Sequence, residues 1–355
     1  MRLAHFETLR PVCPACRKAG RGDHRLDLAV DGARQADTVP SGRLLCPQCR
    51  LEFPIIDGFP FLVPDPRSFI AQQLTYVLMR DTLPAEVESL VGDAAGPGSA
   101  FDSLRQHQSS YGWDHYGDLD PDEPDPSLPG SALRCLNAGL RALDQPLAGA
   151  ALDAGCAAGR SSFALADAVD GLVLGIDLNL PLLRVAARVL REGIAAYPRR
   201  RIGLVYDRRT FPVSFAAAER VDFWVADALA LPFAAGGFGG VAALNLLDCL
   251  SAPRDALIEF GHALSPSGRA ILTTPYDWSS AATPPEAWIG GHSQRGPHAG
   301  AAEPLLRRLL SEEEGGRLGL RLVAEEADLP WHVRLHDRAL MQYRVHLVVA
   351  GAARG

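Results

Sequence analysis

From Ala148 onward, the chain alternates short apolar runs with segments of helical periodicity. This alternation predicts a doubly wound α/β domain built on a mostly parallel sheet. The segment 193–220 is rich in arginine and aromatic residues and interrupts the alternation, so we predict an insertion there. A helix is expected near 301–311, and strands are expected near residues 150–154, 172–176, 221–226, 239–245, 269–274, 320–327 and 342–350.

The chain before this domain divides into two parts. Residues 1–65 contain paired cysteines, and residues 66–130 form a connector that we expect to be partly helical near 69–80 and flexible near 92–99. The connector then contains an aromatic cluster of Tyr111, Trp113 and Tyr116, which we interpret as a lid over an active site, and it ends in a turn-rich segment from Asp118 to Pro129. Residues 131–355 then form the main domain.

Composition bounds the possible classes of protein. The 355 residues are 47% hydrophobic and 22% charged, which is ordinary for a globular protein. The net charge of −7 gives no reason to expect a polyanionic partner, so nucleic acid is not the expected ligand. The chain has no signal-peptide pattern and no apolar run of the roughly 20 residues that a membrane helix needs. We therefore expect a cytoplasmic protein without a membrane partner. Whether it forms a homodimer is left open.

Four cysteines near the start form two C-x-x-C pairs, Cys13-Pro-Ala-Cys16 and Cys46-Pro-Gln-Cys49. Two such pairs can complete a closed tetrahedral zinc site, and a β-hairpin can fill the long stretch between them. A redox pair or a disulfide framework is the alternative, but thiols stay reduced in the expected compartment. A closed site of four thiolates leaves no open position, so the predicted zinc is structural. The other cysteines, Cys135, Cys156 and Cys249, are interpreted as small buried residues.

The stretch from Leu44 to Val63 follows the second cysteine pair with Glu52-Phe-Pro-Ile-Ile-Asp-Gly-Phe-Pro-Phe-Leu62. It resembles the small zinc-ribbon family that activates tRNA and rRNA methyltransferases. The resemblance covers about the first 65 residues and implies that such a module is fused here to an enzyme.

A glycine-rich turn follows the first strand of the main domain, in Ala151-Leu-Asp-Ala-Gly-Cys-Ala-Ala-Gly-Arg160. Gly155 and Gly159 let the backbone pass close to a ligand, and the helix that follows offers a partial positive charge to a carboxylate. The spacing G-x-x-x-G after the acidic residue Asp153 differs from the dinucleotide fingerprint G-x-G-x-x-G. The turn therefore favours S-adenosylmethionine (SAM) over a dinucleotide.

The next two strands also end in acids. Asp177 is placed to accept the ribose hydroxyls, and Asp227 can accept from an adenine amine. For each acid alone, a helix N-cap or a surface carboxylate is the alternative. The chain resembles class I SAM-dependent methyltransferases across residues 148–350. This resemblance implies a cofactor site formed by Asp153, Gly155, Cys156, Gly159, Asp177, Leu178, Asp227, Ala228 and Asn245.

Four further stretches narrow the resemblance: 152–163, 245–250, 274–291 (with Thr274-Pro-Tyr-Asp-Trp278) and 328–338. They resemble the mercaptohistidine N-methyltransferase domain of ovothiol-forming enzymes and, more distantly, carnosine N-methyltransferases. Both families methylate an imidazole nitrogen, so the resemblance implies N-methylation of a small histidine derivative. The chain departs from the first family because it has no sulfoxide synthase module, has a cysteine-rich unit instead, and carries Leu335 where that family has an acid.

The predicted acceptor site lies at the carboxyl edge of the sheet, where the links after the fourth, fifth and sixth strands open. We assign Asn245, Tyr276 and His336 as candidate catalytic residues, with His332 nearby, because they could orient an imidazole or act as a base. Ordinary packing is the alternative for the aromatic residues, and a surface position for the histidines. The candidate substrate-binding residues are Tyr111, Trp113, Tyr116, Asp248, Trp278, Trp288, Trp331 and Arg334.

Three functions therefore compete. The first is a small-molecule N-methyltransferase, and the second is an RNA methyltransferase that recognises RNA through its zinc ribbon. The third is a degenerate methyltransferase fold that serves as a binding scaffold. The acidic net charge disfavours the second, and the intact acids and glycines of the cofactor site disfavour the third.

Overall fold

The computed structural model describes residues 1–30 and 37–353. The N-terminal unit has two short helices and four strands: α1 (Leu3–Leu9), α2 (Pro14–Lys18), β1 (Asp27–Val30), β2 (Gly42–Leu45), β3 (Glu52–Ile56) and β4 (Phe59–Leu62). The strands pair antiparallel in chain order. The hairpin predicted between the cysteine pairs is present as β1 and β2, and its residues 31–36 lie outside the described residues.

The connector is more helical than the sequence suggested. It contains α3 (Pro66–Gln72), α4 (Leu74–Leu78), α5 (Ala85–Ala95) and α6 (Ala100–Tyr116). The single helical stretch predicted near 69–80 is thus two helices, and α5 occupies part of the segment predicted to be flexible. The hydroxyl of Ser99 accepts the Asp102 N–H at 3.1 Å and caps α6, which carries the whole aromatic cluster.

The main domain has the predicted order of strands and helices. After α7 (Ser131–Arg141), it contains β5 (Ala151–Ala154), α8 (Arg160–Ala168), β6 (Val173–Asp177), α9 (Leu180–Glu192), β7 (Ile194–Ile202), β8 (Val205–Pro212), β9 (Val221–Ala226), β10 (Phe238–Leu244), α10 (Pro253–Ala263), β11 (Leu264–Thr274), α11 (Glu303–Leu309), α12 (Glu312–Leu318), β12 (Leu320–His336) and β13 (Ala339–Ala352). Seven strands lie in the order β9-β6-β5-β10-β11-β13-β12, with β13 antiparallel to its neighbours. The predicted seven-stranded methyltransferase sheet is confirmed.

The N-terminal unit extends this sheet instead of standing apart from it. Strand β4 pairs in parallel with β9, where Phe61 lies opposite Val225 and Leu62 opposite Ala226. The result is a continuous eleven-stranded sheet. The pairing covers the β9 edge, which would otherwise expose unpaired backbone groups.

The predicted insertion at 193–220 contains an antiparallel hairpin formed by β7 and β8. The link predicted after the sixth strand is not a loop. Strand β12 continues through it to His336, with irregular pairing to β13 between Glu326 and Leu329. The residues after Asp328 therefore lie on a strand that packs against α6, where the Ser110 hydroxyl donates to the Arg334 carbonyl at 2.8 Å.

Apolar side chains cover both faces of the central sheet. On β9, Trp224 belongs to the apolar cluster that contains Phe260 on one face. The adjacent Phe223 packs edge-on against Phe163 on the other face, with ring centroids 5.7 Å apart. Such burial on both faces explains why the parallel strands read as continuous apolar runs. Within the described part of the chain, no helix combines the length and apolar character of a membrane span.

Candidate active site

The turn between β5 and α8 requires glycine at two positions. Gly155 and Gly159 have φ angles of 73° and 85°. A Cβ at Gly155 would lie 2.8 Å from Cδ1 of Leu246, and one at Gly159 would lie 2.6 Å from Cβ of Ala186. Both glycines therefore allow a close approach of chain segments as well as a left-handed backbone.

Asp153 lies beneath this turn and is almost fully buried. Its Oδ2 accepts hydrogen bonds from the hydroxyls of Ser161 and Ser162, each at 2.6 Å. Burial raises the pKa of Asp153 to about 6, although the two hydroxyls act in the opposite direction. The acid predicted to serve the cofactor thus also anchors the start of α8. Cys156 is buried in the same turn, as predicted.

The end of helix α6 is hydrogen-bonded to the glycine turn. The Arg160 N–H donates to Nδ1 of His115 at 3.0 Å, and the Tyr116 hydroxyl donates to the Ala158 carbonyl at 2.6 Å. Burial, helped by Arg160, lowers the pKa of His115 to about 3, so the imidazole stays neutral and can accept this bond. Tyr116, predicted to contact the substrate, therefore fixes the cofactor turn, and sequence analysis missed His115.

Asp177 and Asp227 lie where the sequence placed them, at the ends of β6 and β9. Asp177 accepts the Ala157 N–H through Oδ2 at 2.8 Å and the Asn179 N–H through Oδ1 at 2.7 Å. Asp227 accepts the Leu229 N–H through Oδ1 at 2.9 Å. The local capping role is therefore real, but each carboxylate oxygen has a second lone pair for a ligand. Beside them, Leu178 is exposed and Ala228 is buried.

Two predicted residues lie together after β10. Asn245 has a φ of 52°, and its Oδ1 accepts the Thr273 hydroxyl at 2.9 Å, which fixes its amide. Asp248 is only 5% exposed and lies 3.4 Å from the Thr274 hydroxyl. Burial raises the pKa of Asp248 to about 6. A carboxylate with a pKa near neutrality, at this edge, is able to exchange a proton with a ligand.

Tyr111 faces this pair from α6. Its side chain is 40% exposed, and burial of the hydroxyl raises its pKa, with the Cys249 thiol and the carboxylates of Asp177, Asp114 and Asp248 nearby. Cys249 is exposed in the same place, which corrects the expectation that it is buried; Cys135 is buried as expected.

Two residues that sequence analysis did not assign as a pair lie beside Asp248. The Asp277 carboxylate lies near the Tyr343 hydroxyl, and Asp277 also lies next to Asp248. Burial, followed by this carboxylate, raises the pKa of Tyr343 to about 12. Tyr343 lies directly opposite Trp331, a predicted substrate-binding residue, in the pairing of β12 with β13. Knowledge of this strand pairing would therefore have identified Tyr343 as a candidate.

The Tyr276 hydroxyl is not part of this group of residues. It lies 2.7 Å from Nδ1 of His346, and the charges that act on it come from Glu303, Arg307 and Glu325. These groups lie on the sheet face that α11 covers. The structure therefore does not bring this candidate catalytic hydroxyl to the acceptor edge.

The two predicted tryptophans of the 274–291 block pack together. The rings of Trp278 and Trp288 are stacked, with centroids 6.4 Å apart. The Trp288 indole N–H donates to the Thr283 carbonyl at 2.8 Å, and the Thr283 hydroxyl reaches the Asp248 and Leu250 carbonyls. The stack thereby ties this loop to the segment that carries Asp248.

The candidates on the end of β12 pack against α6 and the segment that follows it. The Arg334 Nη1 donates to Glu123 at 3.0 Å, and its guanidinium lies 4.9 Å from the Trp113 ring. The ion pair and stacking make Arg334 and Trp113 part of one buried cluster. His332 contacts the Leu128 carbonyl at 3.2 Å.

His336 lies at the hairpin tip, where it pairs with Ala339 and its Nδ1 accepts the Arg338 N–H at 3.2 Å. Ala339 is four residues before Tyr343, which corresponds to roughly 13 Å along a strand. His336 is thus not brought together with Asp248, because β12 continues as a strand where a returning link was expected.

The four N-terminal cysteines converge on one point. Their sulfur atoms all lie within 4.8 Å of one another, with Sγ of Cys13 3.7 Å from that of Cys49 and Sγ of Cys16 3.8 Å from that of Cys46. Zinc–sulfur bonds of about 2.3 Å in a tetrahedron require sulfur–sulfur distances of about 3.8 Å. The Cys16 and Cys49 N–H groups each lie 3.4 Å from the first sulfur of their pair. The set fits a tetrahedral metal and is too wide for disulfides.

The cysteine-rich unit also contacts the segment after Asp227. Arg17, next to Cys16, donates to the Leu231 carbonyl at 2.8 Å and forms an ion pair with Glu259. The Val12 N–H donates to the Pro232 carbonyl at 2.8 Å. The segment predicted to lie at the adenine is therefore held by the unit that carries the four cysteines.

Residues 152–272 match the family model described as a methyltransferase domain. Curated proteins give no match. Among solved structures, the chain is similar to the cyclase SpnF (17% identity, TM-score 0.41, 62% of this chain and 82% of that one). It is also similar to the YcgJ protein of Bacillus subtilis (15%, 0.40, 63% and 100%) and a SAM-dependent methyltransferase of Methanosarcina mazei (18%, 0.38, 59% and 94%).

These structural likenesses have TM-scores below 0.5, so no function is carried over from them. The domain match covers the segment that holds the glycine turn, Asp177, Asp227 and the strands from β5 to most of β11. Residues 152–272 therefore match a methyltransferase domain, and the observed strand order is the one expected for the class I methyltransferase fold.

Proposed function

We propose that this protein transfers a methyl group from SAM to a nitrogen atom of a small molecule, either an imidazole derivative or a related amine. The observation that carries the proposal is the composition of the carboxyl edge beside the cofactor turn. Asp248, Asp277, Tyr343 and the Tyr111 hydroxyl form what we call the acceptor wall.

The acceptor wall suits a nitrogen nucleophile because its groups accept hydrogen bonds and attract positive charge. Carboxylates surround this edge: Asp248 lies near Tyr111, Cys249 and Tyr343, Asp177 lies near the first two, and Asp277 lies near the last two. A carboxylate or phosphate at this position would be repelled, whereas an N–H would be received by Asp248 or Asp277. This charge favours a nitrogen acceptor over the phosphate-rich surface of RNA.

SAM, when bound, supplies an electrophilic methyl group. The residues of this chain then have to bind and orient the acceptor and to exclude water. Orientation can contribute roughly 7–11 kcal/mol to lowering the barrier. A hydrogen bond from one imidazole N–H to Asp248 would leave the lone pair of the other ring nitrogen free to react. With a pKa raised to about 6, Asp248 is also suited to take up the N–H proton of the methylated ring.

The four cysteines are proposed to hold a structural zinc ion. A set of four thiolates leaves no coordination position for a substrate, and its sulfur spacing fits the tetrahedral ion. The role of the ion would be to fold the N-terminal unit and so maintain Arg17 against Leu231 at the edge of the cofactor site.

The test is methyl transfer from radiolabelled SAM to three probes: 4-(2-aminoethyl)imidazole, L-histidine and a mixed RNA transcript. We expect label in the imidazole compounds and none in the RNA. Asp248→Asn should abolish most of this transfer while leaving SAM affinity unchanged. The matched control is Asp255→Asn on the exposed surface of α10, which should behave as wild type.

Label recovered in RNA would show that the acceptor class is wrong. Equal transfer by wild type and Asp248→Asn would show that the acceptor wall is not where the acceptor binds. SAM binding without transfer to any imidazole or amine would contradict the nitrogen acceptor while leaving the cofactor site intact.

A further inference from the structure

A chain of hydrogen bonds runs behind the acceptor wall, on the face covered by α11. The Tyr276 hydroxyl lies 2.7 Å from Nδ1 of His346, whose Nε2 lies 3.1 Å from Oε2 of Glu325. The Arg307 Nε donates to both oxygens of Glu325, at 2.7 and 2.9 Å. Because Glu325 is held as a carboxylate, Nε2 of His346 donates to it, and Nδ1 is left to accept the Tyr276 O–H.

The backbone at Tyr276 adopts a conformation that its residue type disfavours. Its φ is 56°, in the left-handed region, which a bulky residue occupies only when its surroundings hold it there. The Tyr276 N–H donates to the Thr274 hydroxyl at 3.0 Å, and that hydroxyl lies 3.4 Å from Oδ1 of Asp248. The turn is thus fixed at its backbone by the acceptor side and at its side chain by His346.

Because of this turn, the adjacent residues Tyr276 and Asp277 contact groups on opposite sides of the segment. Tyr276 reaches toward the charges of Glu325 and Arg307, whereas Asp277 lies near the Tyr343 hydroxyl. His346 is only 4% exposed, and it lies opposite Thr274 in the β11–β13 pairing. Its ring is therefore held in place by the sheet itself.

We propose that His346 is a positioning residue for methyl transfer: by holding the Tyr276 hydroxyl, it fixes the left-handed turn and places Asp277 against Tyr343 on the acceptor wall. Its effect on turnover rests on the proposed function, but its effect on the Asp277–Tyr343 contact does not. His346 does not touch the acceptor.

The placement can be tested without any acceptor. Tyrosines labelled with ¹³C at Cζ give one signal for each of the seven tyrosines, and Tyr343→Phe assigns the signal of interest. We expect Tyr276→Phe and His346→Phe to move the Tyr343 signal to the position it has in Asp277→Asn. Tyr206→Phe, which removes a hydroxyl bond to Asp102 far from this site, should leave it in place. A Tyr343 signal that stays at its wild-type position in Tyr276→Phe would overturn the proposal, even if the buried His346→Phe failed to fold.

The effect on turnover is tested by a double-mutant cycle with 4-(2-aminoethyl)imidazole as acceptor probe. Misplacement of a binding group by about 1 Å can lower a rate on the order of 100-fold, so Tyr276→Phe should lower kcat more than it raises KM. In the Asp277→Asn background the same change should have almost no further effect, and SAM affinity should stay at the wild-type level. Fully additive losses would show that His346 and Tyr276 act on general stability instead. If wild type transfers no methyl group to any imidazole or amine, the proposed function fails while the ¹³C measurement still decides the placement.

Discussion

Gly159→Ala should destabilise the protein far more than the same substitution at a glycine whose φ is also positive but whose added Cβ would meet no neighbouring atom. The added Cβ would lie 2.6 Å from Cβ of Ala186 and 2.7 Å from Cζ of Phe223, at a φ of 85°. A left-handed conformation costs an L-residue roughly 1–2 kcal/mol, and overpacking a buried site costs about 1–3 kcal/mol. The expected loss in free energy of unfolding is therefore about 2–5 kcal/mol.

Gly149 is the matched control, because its φ is 76° and a Cβ there would meet nothing within 4 Å. Gly149→Ala should lose only the backbone part, about 1–2 kcal/mol. Urea unfolding of both variants measures the difference, and calorimetry with SAM measures the accompanying loss of affinity for Gly159→Ala. Equal destabilisation of the two variants, or wild-type SAM affinity in Gly159→Ala, would refute the close packing of the cofactor turn.

Three further predictions concern single groups. Asp177→Ala should weaken SAM binding tenfold or more, because charge-assisted hydrogen bonds contribute roughly 1.5–3 kcal/mol each; unchanged affinity by calorimetry would place the donor elsewhere. Cys46→Ser should remove the single zinc found by metal analysis and, because β4 pairs with β9, should also lower SAM affinity; wild-type protein without zinc would contradict the metal site, and normal SAM affinity in the variant would contradict the coupling. Burial raises the pKa of Asp153 from 3.8 to about 6, so the folded state holds its proton more tightly, and the cost of ionising it appears as pH rises from about 4 to 6. Asp153→Asn should therefore gain stability relative to wild type across that window, by up to about 3 kcal/mol in urea unfolding, and a constant difference would contradict this.

The parts of the fold that the sequence predicted well are those with local signals. The strands ending at Asp177 and near Asp227 are short apolar runs closed by an acid, and the turn at Gly155 has a spacing that few other sites share. Each of these patterns depends on neighbouring residues. The class I domain could therefore be predicted from the sequence before any contact was known.

The parts that it missed depend on contacts between distant segments. His115 reaches Arg160 across 45 residues, and the β4–β9 pairing joins strands that are far apart in the chain. Helix α6 mixes polar and apolar residues, so its sequence does not reveal which side meets the glycine turn. His336 was assigned to the acceptor because a returning link was expected, and only the register of β12 with β13 shows where that residue lies.

The central claim is that the carboxyl edge between the glycine turn and Asp177 binds SAM. Calorimetric titration of the purified wild-type protein with SAM tests it most directly. We predict saturable binding of one SAM per chain, competed by S-adenosylhomocysteine and weakened by Asp177→Ala but not by the surface change Asp255→Asn. Absence of saturable binding to zinc-replete wild-type protein would contradict the account.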